Sequence, residues 1–111
     1  MWLLRDGEVL AAVEMADSLV ARNKGLIGRS GYEGAFVIPH TSGALHSFGM
    51  RFALDVAFLD RDLAVVDTVH LTPWHITLPR RRCRTVLEAQ SGAFERWRLR
   101  PGDCLELHDT R

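Results

Sequence analysis

Apolar and polar residues alternate along much of this chain with the two-residue period of half-buried strands. The clearest case is residues 52–59. Phe52, Leu54, Val56 and Phe58 fall on one face, and Ala53, Asp55, Ala57 and Leu59 on the other. Residues 2–4 and 8–16 read as two strands around Asp6-Gly7, a dipeptide suited to a hairpin turn with positive φ. Residues 35–38, 44–48, 63–71, 85–89 and 104–108 give further short strands, with 63–71 the antiparallel partner of 52–59. Helical spacing is rarer. Asp17 is placed to cap a short helix over 18–24 that stops at Gly25, and Ser91 to cap one or two turns over 91–97. Residues 28–34 carry three glycines and read as a loop, and two prolines keep 72–79 irregular.

Many short strands separated by turn residues predict a mostly β fold, α+β at the margin. The expected architecture is a strongly curved or barrel-like antiparallel sheet with one or two short helices, because curvature removes exposed edges. A length of 111 residues fits one domain over residues 1–111. Hydrophobic residues at 47% and charged residues at 25% place the chain among folded globular proteins.

A formal net charge of zero gives no global electrostatic footprint for nucleic acid. The charges are unevenly placed, with Asp55, Asp60, Asp62 and Asp67 in one segment and Arg80, Arg81, Arg82 and Arg84 in a later one. That arginine cluster is the one feature suggesting an acidic or phosphate partner; its position between Pro79 and a strand reads more simply as a solvated loop. The apolar start at Trp2 is cut by Arg5-Asp6-Gly7, and no apolar run approaches bilayer length, so the expectation is a cytoplasmic protein without a membrane. Cys83 and Cys104 are then expected as reduced thiols.

Candidate chemistry centres on Asp55, an acid inside an apolar strand. Burying a carboxylate unpaired is costly, so a partner is required. The simpler reading is a structural one, in which Asp55 accepts hydrogen bonds that fix a loop or bend. The functional reading needs His46, Arg51 or Glu88 to converge on the same hollow. Glu88, in Val86-Leu87-Glu88-Ala89, poses the same question as Asp55. His40, His46, His70, His75 and His108 form no tight ligand motif, so no metal and no cofactor are expected. Neither cysteine has an adjacent base, and there is no phosphate loop, nucleophile elbow or dinucleotide fingerprint. Met50, Trp74 and Trp97 read as core or edge-covering side chains.

The run from His46 through Gly49-Met50-Arg51 and Leu54-Asp55 to Phe58 resembles the hallmark of the family called domain of unknown function 192. Arg22-Asn23-Lys24-Gly25-Leu26, Val86-Leu87-Glu88 and Arg100-Pro101-Gly102-Asp103 match its pattern in the same order. The resemblance implies a compact β-rich fold with a short helix, and no established activity. Arg22, Gly25, Met50, Asp55, Glu88 and Gly102 match the pattern without any role attached, and Gly49 stands where Trp is frequent. The expected function is a small binding or accessory domain without assignable catalysis, for an unknown small molecule or protein. Its recognition surface would include His46, Met50, Arg51, Asp55 and Glu88. The alternative is an acid–base or metal-assisted hydrolase using His46 with Asp55 or Glu88.

Overall fold

Strands dominate because the apolar residues recur at every second position, and the computed structural model shows how they assemble. It describes residues 1–15 and 34–109. The strands are β1 (Trp2–Arg5), β2 (Glu8–Met15), β3 (Ala35–Pro39), β4 (Leu45–His46), β5 (Leu54–Leu59), β6 (Val65–Leu71), β7 (Ile76–Thr77), β8 (Thr85–Gln90) and β9 (Glu106–His108). Among the described residues one short helix, α1 (Ala93–Trp97), lies between β8 and β9. The helix expected over 18–24, its Asp17 cap and Gly25 stop, and most of the 28–34 loop lie outside the described residues.

Seven strands form one sheet in the order β6-β5-β8-β3-β2-β1-β9, and β4 pairs with β7 in a separate two-stranded ribbon. The main sheet is mixed, not purely antiparallel: β2 and β3 run parallel through Val13↔Ala35, Glu14↔Phe36 and Met15↔Val37. The β1–β2 hairpin turns on Asp6 and Gly7 at φ 54° and 79°, the positive-φ pair this dipeptide favours.

The sheet curls but does not close. The segments leading into its two edge strands meet at one isolated bridge, Ala64↔Cys104. Hydrogen bonds from Val65 N–H to Asp103 C=O (2.8 Å) and from Leu105 N–H to Leu63 C=O (3.0 Å) flank it. The fold is thus a curved open sheet whose edges are pinned at one end.

Register sorts the core into two layers. Ala57 faces Leu87, which faces Val37, and these pack with Leu3, Val13 and Phe94 of α1. Phe58 faces Val86, which faces Ile38, and these pack with Leu45, Met50 and Cys83 beneath the ribbon. All six residues of β5 are buried, so this strand is the sheet's central wall with a core on either side. At roughly 25 cal/mol per Å2 of apolar surface, that double burial is the main stabilising term.

Candidate functional site

Asp55 points to the α1 side of β5. Its Oδ2 accepts hydrogen bonds from the backbone N–H groups of Gly92 (2.9 Å) and Phe94 (3.1 Å). Gly92 is the N-cap of α1, at φ 95°, and has no side chain with which to cap it. Asp55 therefore supplies from another strand the acceptor that a local cap would give. Ser91, expected as the cap, does not serve; its N–H bonds Ala53 C=O instead.

The second oxygen of Asp55 meets His70, which register places directly across on β6. Nδ1 of His70 lies 3.3 Å from Oδ1, and a carboxylate, which only accepts, pairs there with the tautomer that carries its proton on Nδ1. Beside this pair lies a hollow of about 420 Å3, lined by Thr68, Ser91 and Glu95 among others. The histidine of Asp55 is thus His70, not His46.

Glu88 lies on the opposite face. It stands across from Val56 on β5 and Phe36 on β3, and is 1% exposed. Since side chains opposite one another across a ladder share a face, Asp55 and Glu88 are separated by the sheet itself. Met50 is buried in the core of that second face, and Arg51 is exposed. The five candidates do not form one cluster.

His46 belongs to the ribbon, paired with Ile76. Its Nδ1 accepts the Phe48 N–H at 3.2 Å, and its ring stacks on Phe48 with centroids 4.9 Å apart. Phe48 in turn meets Trp74 at 5.9 Å. Trp74 is not a core aromatic: it is 67% exposed, with Ile76 at 61%, Leu78 at 66% and Phe48 at 45%. Contiguous exposure of large apolar side chains marks interaction surfaces more than any single exposed residue does.

Buried Ser47 holds this surface in place. Its Oγ lies 2.6 Å from Thr72 C=O and accepts the His75 N–H at 2.9 Å, while its own C=O accepts the Trp74 N–H at 3.0 Å. Thr77 does the same at the other end, donating to Gly43 C=O and accepting from Leu45 N–H. The segment expected to be irregular therefore contains β7 and is tied down on both sides.

The arginine cluster also divides. Arg80 is structural: its Nε donates to Asp67 on β6 at 3.0 Å, and its guanidinium lies over the Phe58 ring at 4.3 Å. Arg81, Arg82 and Arg84 are exposed, as a solvated loop requires. Cys83 is buried, and burial pushes its thiol above the ordinary 9.0; Cys104 is a free thiol on the surface. Among the described residues, no group of three or more His, Cys, Asp or Glu is placed to hold a metal ion. None of their helices is long and apolar enough to cross a membrane.

Residues 2–107 match the family DUF192, described as "Uncharacterized ACR". The chain belongs to this family. UPF0127 protein PH1112 of Pyrococcus horikoshii is 35% identical over 98 residues, covering 85% of each chain. UPF0127 protein PF1050 of Pyrococcus furiosus is 34% identical over 103 residues, covering 89% of each. Two crystal structures share the fold. One, a protein of unknown function from Novosphingobium aromaticivorans, has a TM-score of 0.73 at 24% identity, over 86% of this chain and 74% of that one. The other, described as a "putative transcription regulator" from Sinorhizobium meliloti, has a TM-score of 0.70 at 23% identity, over 85% and 79%.

None of these similar proteins carries an assigned reaction in its name, and no catalytic function is assignable to this DUF192 member. Two of its surface features escaped the strand pattern. Counting the β5–β6 hairpin outward from Asp60-Arg61-Asp62 would bring Asp67 opposite Asp55; the loop running on to Ala64 and the bulge between Phe58 and Leu59 bring His70 there instead. Trp74 gave no signal either, since an isolated aromatic between prolines reads equally well as buried.

Proposed function

We propose that residues 1–111 act as one non-enzymatic docking domain that holds an extended, acidic and apolar segment of a partner protein across the β4–β7 ribbon. The observation that carries this reading is the exposed strip of Phe48, Trp74, Ile76 and Leu78, whose turn at Trp74 is hydrogen-bonded to buried Ser47. Aromatic and aliphatic anchors on a preorganised backbone supply most of the binding energy at protein interfaces.

Charge selects the partner's chemistry. The stretches 40–54 and 68–87, which build the ribbon and its surround, contain no aspartate or glutamate. They carry Arg51 and Arg81 on the surface, with His75 beside the strip, while Arg82 and Arg84 line a separate hollow with Asp60 and Asp62. The ribbon's own stretches thus offer cations and no carboxylate beside an apolar strip, complementary to apolar residues flanked by carboxylates. We place the domain in the cytoplasm, where Cys83 and Cys104 remain thiols.

The regulator description carried by the Sinorhizobium protein makes nucleic acid the competing macromolecule. The aliphatic side chains of Ile76 and Leu78, which offer nothing for a base to stack on, favour polypeptide. The test is a titration of the full chain with a synthetic peptide alternating Ile or Val with Glu, followed by Trp74 fluorescence and amide shifts. Binding should move the Phe48, Trp74 and Ile76 signals, and Trp74→Ala with Ile76→Ala should weaken it at least about tenfold. No binding of that peptide, or stronger binding of a single-stranded oligonucleotide with a steep salt dependence, would overturn the reading.

A further inference from the structure

A second hollow, of about 770 Å3, lies on the far side of α1 from the Asp55–His70 pair. It arises from the one parallel junction among the described strands. β2 joins β3 only at Val13, Glu14 and Met15, so the preceding residues Leu10, Ala11 and Ala12 pair with no strand on the β3 side among the described residues. The gap is walled instead by Gln90 and Ser91 at the end of β8 and by Arg96 and Trp97 of α1.

The lining is chemically one-sided. Among the described residues, Arg96 is its only charged side chain, and no carboxylate lines it. The Arg96 guanidinium makes no hydrogen bond or ion pair within the described residues, unlike Arg5, which is anchored to Asp103 and to the carbonyls of Trp97 and Arg98 at the end of α1. Ser91 brings a hydroxyl to the same rim, whereas Gln90, opposite Leu54 by register, belongs to the other face of the sheet and lines the hollow only at the end of β8. The Trp97 indole and Ala11 provide apolar wall, and the volume falls within the range typical of small-molecule sites.

We infer that this hollow binds a small organic anion: a carboxylate or phosphate on an apolar, ring-sized body. The anionic group meets Arg96, whose planar fork suits two oxygens at once, with the Ser91 hydroxyl adding a hydrogen bond. The apolar body lies against Trp97 and Ala11. This site is independent of the ribbon, and either can fail without the other.

The experiment is an amide-resolved NMR titration of the full chain with phenylacetate, phenyl phosphate and neutral phenylacetamide. The anions should shift the Ala11, Ser91 and Arg96 amides and the Trp97 indole signal at millimolar concentration. Phenylacetamide should bind at least about tenfold more weakly. Preference between the two anions identifies carboxylate or phosphate as the group recognised. Arg96→Gln should bring the anions down to the level of the amide with an unchanged unfolding midpoint, since Arg96 is exposed, and Arg96→Lys should fall between. Absence of shifts with both anions, equal binding of phenylacetamide, or full anion affinity in Arg96→Gln would each overturn the assignment.

Discussion

Removing the Asp55 carboxylate tests how α1 is held, and the structure gives the size of the effect. In Asp55→Ala, the Gly92 and Phe94 amides lose an ionised acceptor in a setting where Phe94 is buried. Hydrogen bonds to charged groups contribute about 1.5–3 kcal/mol each, so the pair amounts to about 3–6 kcal/mol. For a domain of this size, whose whole stability is about 5–15 kcal/mol, that is a large share. The melting temperature should fall by more than about 10 °C. Asp55→Asn keeps an oxygen for the two amides and should cost only about 1–2 kcal/mol. The His70 side chain is 52% exposed, so its contact with Asp55 is solvent-screened, and His70→Ala should cost at most about 1 kcal/mol. Denaturant unfolding of the three variants measures the order, and hydrogen exchange at the Phe94 amide reports its cause. An Asp55→Ala cost below about 1 kcal/mol, or a His70→Ala cost equal to it, would refute the capping role.

Other substitutions probe the second core and the ribbon. A Cβ at Gly43 would sit 2.7 Å from the Phe58 ring at φ 99°, whereas one at Gly102, at φ 97°, meets nothing within 4 Å. Gly43→Ala should therefore cost about 2–4 kcal/mol and Gly102→Ala about 1 kcal/mol, and equal unfolding midpoints would contradict the close approach. Ser47→Ala leaves the His75 N–H without its acceptor and should cost about 1–3 kcal/mol, with faster exchange at the His75 amide; unchanged exchange would show that Ser47 does not hold the turn. Cys83 holds its proton more tightly when folded than unfolded. That preference is fully present below the unfolded value of 9.0 and is lost as pH rises through the raised native one, so stability should decline above pH 9.0 in a Cys83-dependent way. Thiol labelling near neutral pH should modify Cys104 well before Cys83, and equal rates would argue against burial of Cys83.

Local pattern was enough to locate β5, the Asp6-Gly7 hairpin and most strands within a residue or two, because each rests on alternation or turn chemistry. Three features depend on pairs far apart in sequence and were not readable locally. The parallel β2–β3 junction joins segments on either side of residues 16–34. The β4–β7 ribbon is two residues wide and is stabilised by Ser47 and Thr77, not by its own propensity. The cap of α1 comes from Asp55, 37 residues before Gly92, so local rules pointed to Ser91. The same distance effect split the candidate site. Alternation could assign Asp55 and Glu88 each to a face of its own strand, but only the β5–β8 register shows that the faces are opposite.

That split separates structural from functional residues within the signature itself. Ser47 fixes the turn beneath Trp74, Met50 fills the second core, and Asp55 closes the start of α1, so each is committed to the fold. Phe48 and Arg51 are exposed and His46 is half-buried against Phe48, and the fold asks much less of them. The binding role proposed above rests on the residues interleaved with the structural ones, whereas Asp55, the more conspicuous in sequence, is engaged by the start of α1. An exposed aromatic contributes little to folding, yet anchors a partner once it is desolvated. Phe48→Ala should accordingly leave stability within about 1 kcal/mol while weakening peptide binding severalfold, whereas Ser47→Ala should lower both. Loss of stability without loss of binding in Phe48→Ala would return the aromatic pair to the core and remove the strip as a recognition surface.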